Sequence, residues 1–215
     1  MQSIHDFDVY IFDCDGVILD ANRLKIDAMR ASLSMFSTIE VNRCLDYFSK
    51  NFGKSRYHHV DFFLTEILSV EESGYQQYYD EILHSYSASC RELYIESEFC
   101  ESVLDFLNVL NAPCYVASGS DQDELRHIFK IKGIYGYFVD ILGSPETKSN
   151  NIKNIVNNSS GKALMIGDSP SDFYAAKDNE VEFLFYSPYS TAKNEMLTLA
   201  NKYQFPIVGG YEELL

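Results

Sequence analysis

The sequence predicts an α/β protein in which a Rossmann-like parallel sheet carries an inserted all-helical cap domain. The run Val9–Phe12 is β-branched and aromatic, as in a buried strand. The stretch from about residue 21 to 95 contains no proline and repeats apolar residues at helical spacing. From Ser97 onwards, predicted helices and strands alternate, which is typical of a parallel sheet covered on both faces. We therefore expect a discontinuous core, residues 1–19 and 96–215, and a cap of residues 20–95.

The first strand ends in two carboxylates and a glycine, Asp13, Asp15 and Gly16. Residues i and i+2 of a strand point the same way, so both aspartates are expected to reach into one site. Two like charges this close are costly unless a cation or a shared proton compensates them. The pair therefore favours a metal-assisted site. The alternative is that both aspartates are turn and helix-capping residues.

The elements that follow are predicted from periodicity. In the cap, helices are expected on the apolar positions Leu24, Ala28, Ala31 and Met35; Val41, Leu45 and Phe48; Val60, Phe63, Leu64, Ile67 and Leu68; and over about residues 71–93. In the core, Ser97 is expected to cap a helix through Leu110. Further strands are expected at about 114–117, 137–142, 163–166, 182–186 and 206–208. Helices are expected at about 122–131 and 150–157, after the strand at 163–166 up to about residue 178, and in the tail after 191. Ligands of open parallel sheets lie at the carboxyl ends of the strands, where Asp13, Ser118 and Asp168 are expected to meet.

Four stretches taken together resemble the signature motifs of the haloacid dehalogenase (HAD) superfamily. They are FDCDGV at residues 12–17, Ser118 at the end of a strand, Lys148, and GDSPSD at residues 167–172. They occur in the family's order and span nearly the whole chain. The resemblance implies a HAD-like core, and most members of that superfamily are phosphatases and phosphomutases.

The resemblance also implies roles for the acidic residues. Asp13 matches the nucleophile that forms an aspartyl-phosphate, and Asp15 matches the acid/base. Asp13, Asp168 and the backbone carbonyl of Asp15 match the ligands of Mg²⁺, while Asp172 is expected to reach the metal through water or to hold Lys148. The alternative for Asp168 and Asp172 is a helix N-terminus, which favours acidic residues.

The remaining matches concern the phosphoryl group and the cap. Ser118 and Gly119 match the residues that hold phosphoryl oxygens, and Lys148 matches the cation beside the nucleophile. Their alternatives are a strand-ending turn and a solvated surface lysine. In the cap, Lys54 and Arg56 belong to a Gly-x-Ser-Arg stretch that resembles a substrate-selecting loop; a plain polar loop is an equal alternative. His58 and His59 are neighbours and point in different directions on a helix, so a metal pair is not expected there, and their roles stay open.

The resemblance and the residues lead to one main functional hypothesis. An acid at position 15 argues against dehalogenase chemistry, so we expect a Mg²⁺-dependent phosphatase acting on a small phosphorylated metabolite. A sugar phosphate is one candidate, because FDCDGVILD followed by Asn22 also resembles HAD proteins encoded with surface-polysaccharide enzymes. The residues Ala21–Lys25 differ from those of many relatives at the same place, which weakens the inference of sugar-phosphate specificity. A phosphomutase of the β-phosphoglucomutase type and a non-catalytic phospho-ligand binding module remain alternatives.

The composition of the chain excludes some classes of binding partner. Lys and Arg number 17 against 32 Asp and Glu, a net charge of −15, which argues against nucleic acid or an anionic membrane as a general partner. No apolar stretch reaches the ~18 residues of a membrane span. No signal peptide is apparent, and five scattered cysteines lack metal or disulfide spacing, so a cytoplasmic protein with free thiols is expected. The oligomeric state cannot be read.

Overall fold

The computed structural model describes residues 4–215 and centres on a six-stranded parallel sheet. Residues 1–3, on which the expected lack of a signal peptide partly depends, lie outside the described residues. In space the strand order is β3-β2-β1-β4-β5-β6. The strands are β1 (Val9–Phe12), β2 (Cys114–Asp121), β3 (Asp140–Ser144), β4 (Ala163–Gly167), β5 (Glu182–Tyr186) and β6 (Ile207–Val208). The predicted α/β fold class is confirmed.

Strand β1 lies at the topological switch point of the sheet. Strands β2 and β3 follow on one side of it, and β4, β5 and β6 on the other. It pairs with β2 on one side and with β4 on the other, and the backbone N–H of Asp13 donates to the carbonyl of Ile166 in β4 at 3.0 Å. Both faces of β1 are buried, with Tyr10 and Phe12 in one apolar cluster and Ile11 in the other. The carboxyl ends of β1, β2 and β4 therefore meet at one edge, where doubly wound sheets bind ligands.

Nine α-helices are described. They are α1 (Asn22–Ser32), α2 (Thr38–Lys50), α3 (Arg56–Phe62), α4 (Glu72–Glu96), α5 (Val103–Val109), α6 (Gln122–Ile131), α7 (Lys148–Asn157), α8 (Pro170–Asp178) and α9 (Lys193–Tyr203). Helices α1 to α4 follow one another without an intervening strand, and we call residues 22–96 the helical segment. Helix α3 continues as one π-helical stretch, Phe63–Ile67.

Two predicted helix starts are wrong. Ser97 does not begin a helix; it follows the last residue of α4, and its hydroxyl donates to the carbonyl of Tyr94 at 2.9 Å. Helix α5 begins only after Ser102, whose φ is +60°. Helix α7 begins at Lys148 rather than Asn150, because the Thr147 hydroxyl accepts a hydrogen bond from the Asn150 backbone at 3.2 Å.

The buried face of α1 also differs from the prediction. Ala31 and Met35 are exposed, whereas the buried residues are Asn22, Lys25, Ala28, Met29 and Ser32. Of the predicted positions, Ala28 is buried and Leu24 is half-buried, so the apolar pattern finds only part of the buried face. The rest of that face is polar because it meets a charged site at the sheet edge.

All five cysteines are free, as expected, and the structure also buries them. Within residues 4–215, no helix combines the length and the apolar character that crossing a membrane requires.

Candidate active site

A narrow chamber lies between the carboxyl edge of the sheet and the helical segment. Its free volume is about 10 Å³, roughly that of one water molecule. Core and helical segment line it together: Asp13, Asp15, Ser118, Gly119 and Ser120 from the core, with Lys25, Phe48, Phe52, Gly53, Lys54, Arg56, His59 and Tyr86 from the helical segment. The chamber therefore leaves little free space beside the charged groups in this structure.

Gly16 lets the chain turn tightly beneath this chamber. Its φ is +73°, which favours glycine, and an added Cβ would lie 2.2 Å from Nδ2 of Asn22 and 2.6 Å from Oδ2 of Asp168. The same Asn22 amide donates to Asp168 at 2.7 Å, so the first helix of the helical segment fixes a carboxylate of the core.

Lys148 joins two of the predicted acidic residues. Its ammonium group lies 2.9 Å from Oδ1 of Asp13 and also pairs with Oδ1 of Asp172. The other oxygen of Asp172 accepts from the backbone N–H groups of Asp168 and Ser169, at 3.1 and 3.0 Å. Asp172 thus fastens the β4–α8 loop to Lys148. Burial lowers the pKa of Lys148, but the charges of Asp13 and Asp172 outweigh it and raise the pKa above its usual value.

Three carboxylates form a cluster suited to a cation. One oxygen from each of Asp13, Asp168 and Asp172 lies within 4.8 Å of the others, and all three residues are buried. Oδ1 of Asp168 has no hydrogen-bond partner among the described residues. Burial and the neighbouring charge of Asp172 raise the pKa of Asp13 to about 7, and the same causes raise that of Asp168 well above its usual value. A buried carboxylate cluster with an unpaired oxygen fits a hard divalent cation.

Asp15 is held by three side chains. Lys25 donates to its Oδ2 at 2.7 Å, Ser120 donates to the same oxygen at 2.9 Å, and Tyr94 donates to Oδ1 at 2.8 Å. Burial raises the pKa of Asp15, but the charge of Lys25 and these hydrogen bonds outweigh it and bring the pKa below its usual value. Asp15 is thus fixed as a carboxylate by two residues of the helical segment and one of the core.

Replacing Lys25 should show how much its ion pair with Asp15 contributes to the stability of the protein. We expect Lys25→Met to lower the free energy of unfolding by about 3–5 kcal/mol, because the charge of Asp15 would stay buried without its partner. Urea denaturation measures this, and Lys25→Met combined with Asp15→Asn should recover most of the loss. Arg23→Met, at an exposed cation of the same helix, should change stability by less than about 0.5 kcal/mol. Equal effects at positions 23 and 25 would contradict the interpretation.

Ser118 and Gly119 lie on the chamber wall at the end of β2. The Ser118 hydroxyl accepts from the backbone N–H of Ser120 at 3.2 Å. A Cβ on Gly119 would lie 2.2 Å from the carbonyl oxygen of Gly53, so glycine allows the helical segment to rest directly on this strand end. This contact is part of the closure of the chamber.

Arg56 is tied to the core rather than left free. Its guanidinium pairs with Glu124 of α6 and donates to Ser87 at 2.7 Å, and it lies over the ring of Tyr86, 5.4 Å from the centroid. Glu124 is itself buried. Lys54, in contrast, is exposed at the rim, with its ammonium 3.4 Å from Nε2 of His58.

The two histidines have different surroundings. His58 is half-buried, and its ring meets the Tyr47 hydroxyl at 2.8 Å. His59 is 2 % exposed and lines the chamber. Burial, with the charges of His58 and Lys25, lowers the pKa of His59 to about 3, so its ring is neutral.

The charged groups of the site nearly balance. Among the residues that the structure describes, the buried charged side chains are Asp13, Asp15, Glu124, Asp168 and Asp172 against Lys25, Arg56 and Lys148. When all five carboxyl groups are ionised, every cation is paired with a carboxylate and two negative charges remain. A divalent cation would neutralise them.

The sequence interpretation missed several residues of this site. They are Asn22, Lys25, Tyr94, Ser120 and Glu124. Tyr94 is 79 residues from Asp15, so no local motif connects them. For Lys25 a signal existed, because it shares a helix face with Ala21 and Ala28 at i−4 and i+3.

Comparison with known proteins is consistent with this geometry. A phosphatase of Clostridium acetobutylicum, described as predicted, has a TM-score of 0.74 at 19% identity, over 97% of this chain and 96% of that one. A HAD hydrolase of Bacillus subtilis, solved with bound magnesium and showing interdomain movement, has a TM-score of 0.62 at 17% identity, over 85% and 89%. A predicted phosphoglycolate phosphatase of Haemophilus somnus has a TM-score of 0.65 at 15% identity, over 86% and 87%. These likenesses concern the fold.

The sequence itself gives the family. No curated protein sequence matches this chain. The model of the haloacid dehalogenase-like hydrolases matches residues 7–179, which include Asp13, Asp15, Ser118, Lys148 and the β4–α8 loop. With most of its length covered by that match, the chain belongs to the haloacid dehalogenase-like hydrolase family.

Proposed function

We propose that this hydrolase is a Mg²⁺-dependent phosphatase that cleaves a small phosphorylated metabolite through an aspartyl-phosphate on Asp13. The observation that carries the proposal is that Asp13, its cation Lys148 at 2.9 Å, and the separately held Asp15 meet at the carboxyl edge of the sheet. Phosphoryl transfer depends mainly on positioning and on neutralising charge, and these residues supply both.

The roles of the two aspartates follow from their different surroundings. Asp13 attacks phosphorus, the bond to the leaving oxygen breaks, and the Lys148 ammonium stabilises charge on the transferring group. Asp15 carries a proton to the leaving oxygen and later takes one from the attacking water. In this structure Asp15 is a carboxylate that accepts hydrogen bonds from Lys25, Tyr94 and Ser120, so it must gain a proton when the substrate binds before it can act as the acid.

The acidic cluster supports Mg²⁺ as the cofactor. Asp13 and Asp168 would hold the ion, with the Asp15 backbone carbonyl as a further ligand and Asp172 fixing the loop and Lys148. When bound, Mg²⁺ neutralises developing charge on the phosphoryl oxygens. With all its carboxyl groups ionised, the buried site has two uncompensated negative charges, which equal the charge of Mg²⁺ in magnitude. The relative from Bacillus subtilis is described with bound magnesium.

The enclosure supports a small substrate and a cap role for residues 20–95. Lys25 and Arg56 reach from the helical segment to Asp15 and Glu124 of the core, and the chamber between them holds little more than one water. A lid that must close over the reacting groups excludes polymers and limits free water. A phosphorylated sugar or similarly small ester fits this limit.

The pairing of Arg56 favours a phosphatase over a phosphomutase. A mutase must hold an intermediate that carries two phosphates, so it needs a second anion site with an uncompensated cation. Here Glu124 neutralises Arg56 and Asp15 neutralises Lys25, so both buried cations of the helical segment are already paired. Two features favour a mutase: the small free volume of the chamber, and Lys54 at its rim, which has no carboxylate partner among the described residues.

Metal removal tests the proposal. Phosphate release from a panel of small phosphate esters should fall to background in EDTA, because the charges of the acidic cluster would repel the phosphate. Mg²⁺ should restore it, and Ca²⁺ should restore far less, because Ca²⁺ prefers a larger and looser oxygen shell. Mg²⁺ should also raise the melting temperature, since it binds the folded state.

Two outcomes would contradict the proposal. Full activity in EDTA would exclude a metal-dependent site. No release from any ester, with Mg²⁺ bound and the protein folded, would exclude the phosphatase; isomerisation of a sugar phosphate under the same conditions would then indicate a mutase, and its absence a binding module.

A further inference from the structure

Asn22 is a buried residue of the helical segment whose side-chain amide contacts the core. It is the first residue of α1 and is 1 % exposed. Its Nδ2 donates to Oδ2 of Asp168 at 2.7 Å and to the backbone carbonyl of Tyr189 at 3.1 Å. Both partners are acceptors, so the NH₂ group must face them and the amide oxygen cannot take its place. The two acceptors of the core therefore fix the orientation of this amide.

The Asp168 carboxylate depends on this amide more than its two neighbours in the acidic cluster do. Asp13 and Asp172 both pair with Lys148. Within residues 4–215, the carboxylate of Asp168 receives a hydrogen bond from Asn22 alone, and its Oδ1 has no hydrogen-bond partner. Without Asn22, no hydrogen bond of the described residues would hold the Asp168 carboxylate in place.

Packing and a neighbouring loop support the same contact. A Cβ on Gly16 would lie 2.2 Å from Nδ2 of Asn22 and 2.6 Å from Oδ2 of Asp168, so both groups pack directly on the turn after β1. Ser190 follows Tyr189 in the chain, and its hydroxyl donates to the backbone carbonyl of Asp168 at 2.5 Å. The loop after β5 thus holds the amide through one residue and the backbone of Asp168 through the next.

We propose that Asn22 is a positioning residue for the cation: by holding Oδ2 of Asp168, it keeps Oδ1 available as a ligand. The inference rests on the Mg²⁺ dependence of the proposed function and adds a residue of the helical segment to the support of the cation site. Hydrogen bonds orient ligating carboxylates, and loss of such a partner typically lowers metal affinity about 10- to 100-fold. Asn22 acts through Asp168 and is not itself a ligand.

Mg²⁺ binding, measured by isothermal titration calorimetry without substrate, tests the inference. Asn22→Leu keeps the approximate size of the side chain but has no donor, and we expect it to raise the Kd for Mg²⁺ roughly tenfold to hundredfold. Asn22→Ala should have the same effect without placing a larger apolar group beside Asp168. The unfolding transition of each variant shows that it is folded.

The matched control is Asn151→Leu. Asn151 is also buried, but its amide donates to the backbone carbonyl of Gly143, at 3.1 Å, and not to a carboxylate. This variant should leave the Kd for Mg²⁺ unchanged, although it too loses a buried hydrogen bond. An equal rise in Kd in the Asn151 variant would mean that general damage to the core is sufficient, and the inference would fail.

The Mg²⁺ dependence of phosphate release separates positioning from a structural role. In the Asn22 variants the Mg²⁺ concentration for half-maximal activity should rise in parallel with Kd, while kcat at saturating Mg²⁺ should approach that of the wild type. An unchanged Kd in the folded Asn22 variants would overturn the inference and leave the phosphatase proposal intact. A lower Kd would also overturn it, because Asn22 would then compete with the cation for Asp168. No Mg²⁺ binding by the wild type would instead refute the metal dependence of the proposed function, and the inference with it.

Discussion

Asp13→Asn is expected to abolish phosphate release, with a fall in kcat on the order of 10⁴-fold or more. The amide keeps the shape of the side chain but is not a nucleophile, so no aspartyl-phosphate can form. The buried site also loses one negative charge beside Lys148 and the acidic cluster. The measurement is release from the best ester of the panel in Mg²⁺, together with mass spectrometry of the wild type quenched in acid during turnover. A phosphoryl group should be found on the peptide that contains Asp13.

The control for this variant is Asp27→Asn. It makes the same chemical change at an exposed residue of α1 and should leave kcat unchanged. Ligand binding by the Asp13 variant separates a catalyst from a binding module, because a catalyst loses turnover while a binder keeps all of its function. If the Asp13 variant released phosphate at even a tenth of the wild-type rate, Asp13 would not be the nucleophile.

The edge of the sheet was predictable because parallel strands follow a geometric rule. Asp13, Ser118 and Asp168 each follow an apolar run, and the carboxyl ends of neighbouring parallel strands lie together. The sequence does not state the strand order, but β1, β2 and β4 are neighbours, so the structure brings these three residues to one place. Lys148 joins them because α7 begins at that residue and directs it towards Asp13.

The contacts made by the helical segment were not predictable in the same way. Its periodicity predicts helices but not which helix meets which strand, and α1 shows how the rule fails. Apolar periodicity correctly selects Ala28 but also the exposed Ala31. It misses Lys25 and Asn22, which are buried because they bond to carboxylates of the core. A helix that covers a charged site buries polar residues, so hydrophobic patterning misses part of its buried face.

The ion pair of Arg56 with Glu124 is a second contact that local sequence patterns could not predict. The sequence allows Arg56 to be a ligand for an anionic substrate, with a plain polar loop as an equal alternative. It gives no sign that Glu124, 68 residues away, would neutralise this cation. Long-range ion pairs depend on tertiary packing that no local pattern encodes. They decide here which groups remain free for a substrate.

Asp15→Asn should separate the two chemical steps assigned to Asp15. With an alkyl phosphate the leaving oxygen needs a proton, so kcat should fall roughly 10²- to 10⁴-fold, the usual contribution of a general acid or base. With p-nitrophenyl phosphate the leaving group departs without one, so Asp13 can still be phosphorylated. Hydrolysis of the aspartyl-phosphate still needs a base to activate water. We therefore expect a burst of about one equivalent of nitrophenol, followed by slow turnover.

Rapid mixing with p-nitrophenyl phosphate distinguishes this from simple damage to the site. Because Asp15→Asn also leaves Lys25 buried without its carboxylate, the variant must first be shown to be folded by its unfolding transition. A lower rate without a burst would mean that the first step is impaired even when no proton is needed, which contradicts the acid/base assignment. A full burst followed by turnover at the wild-type rate would mean that a residue other than Asp15 activates the water. Only the combination of a burst and slow decay requires that the carboxylate held by Lys25, Tyr94 and Ser120 acts in both steps.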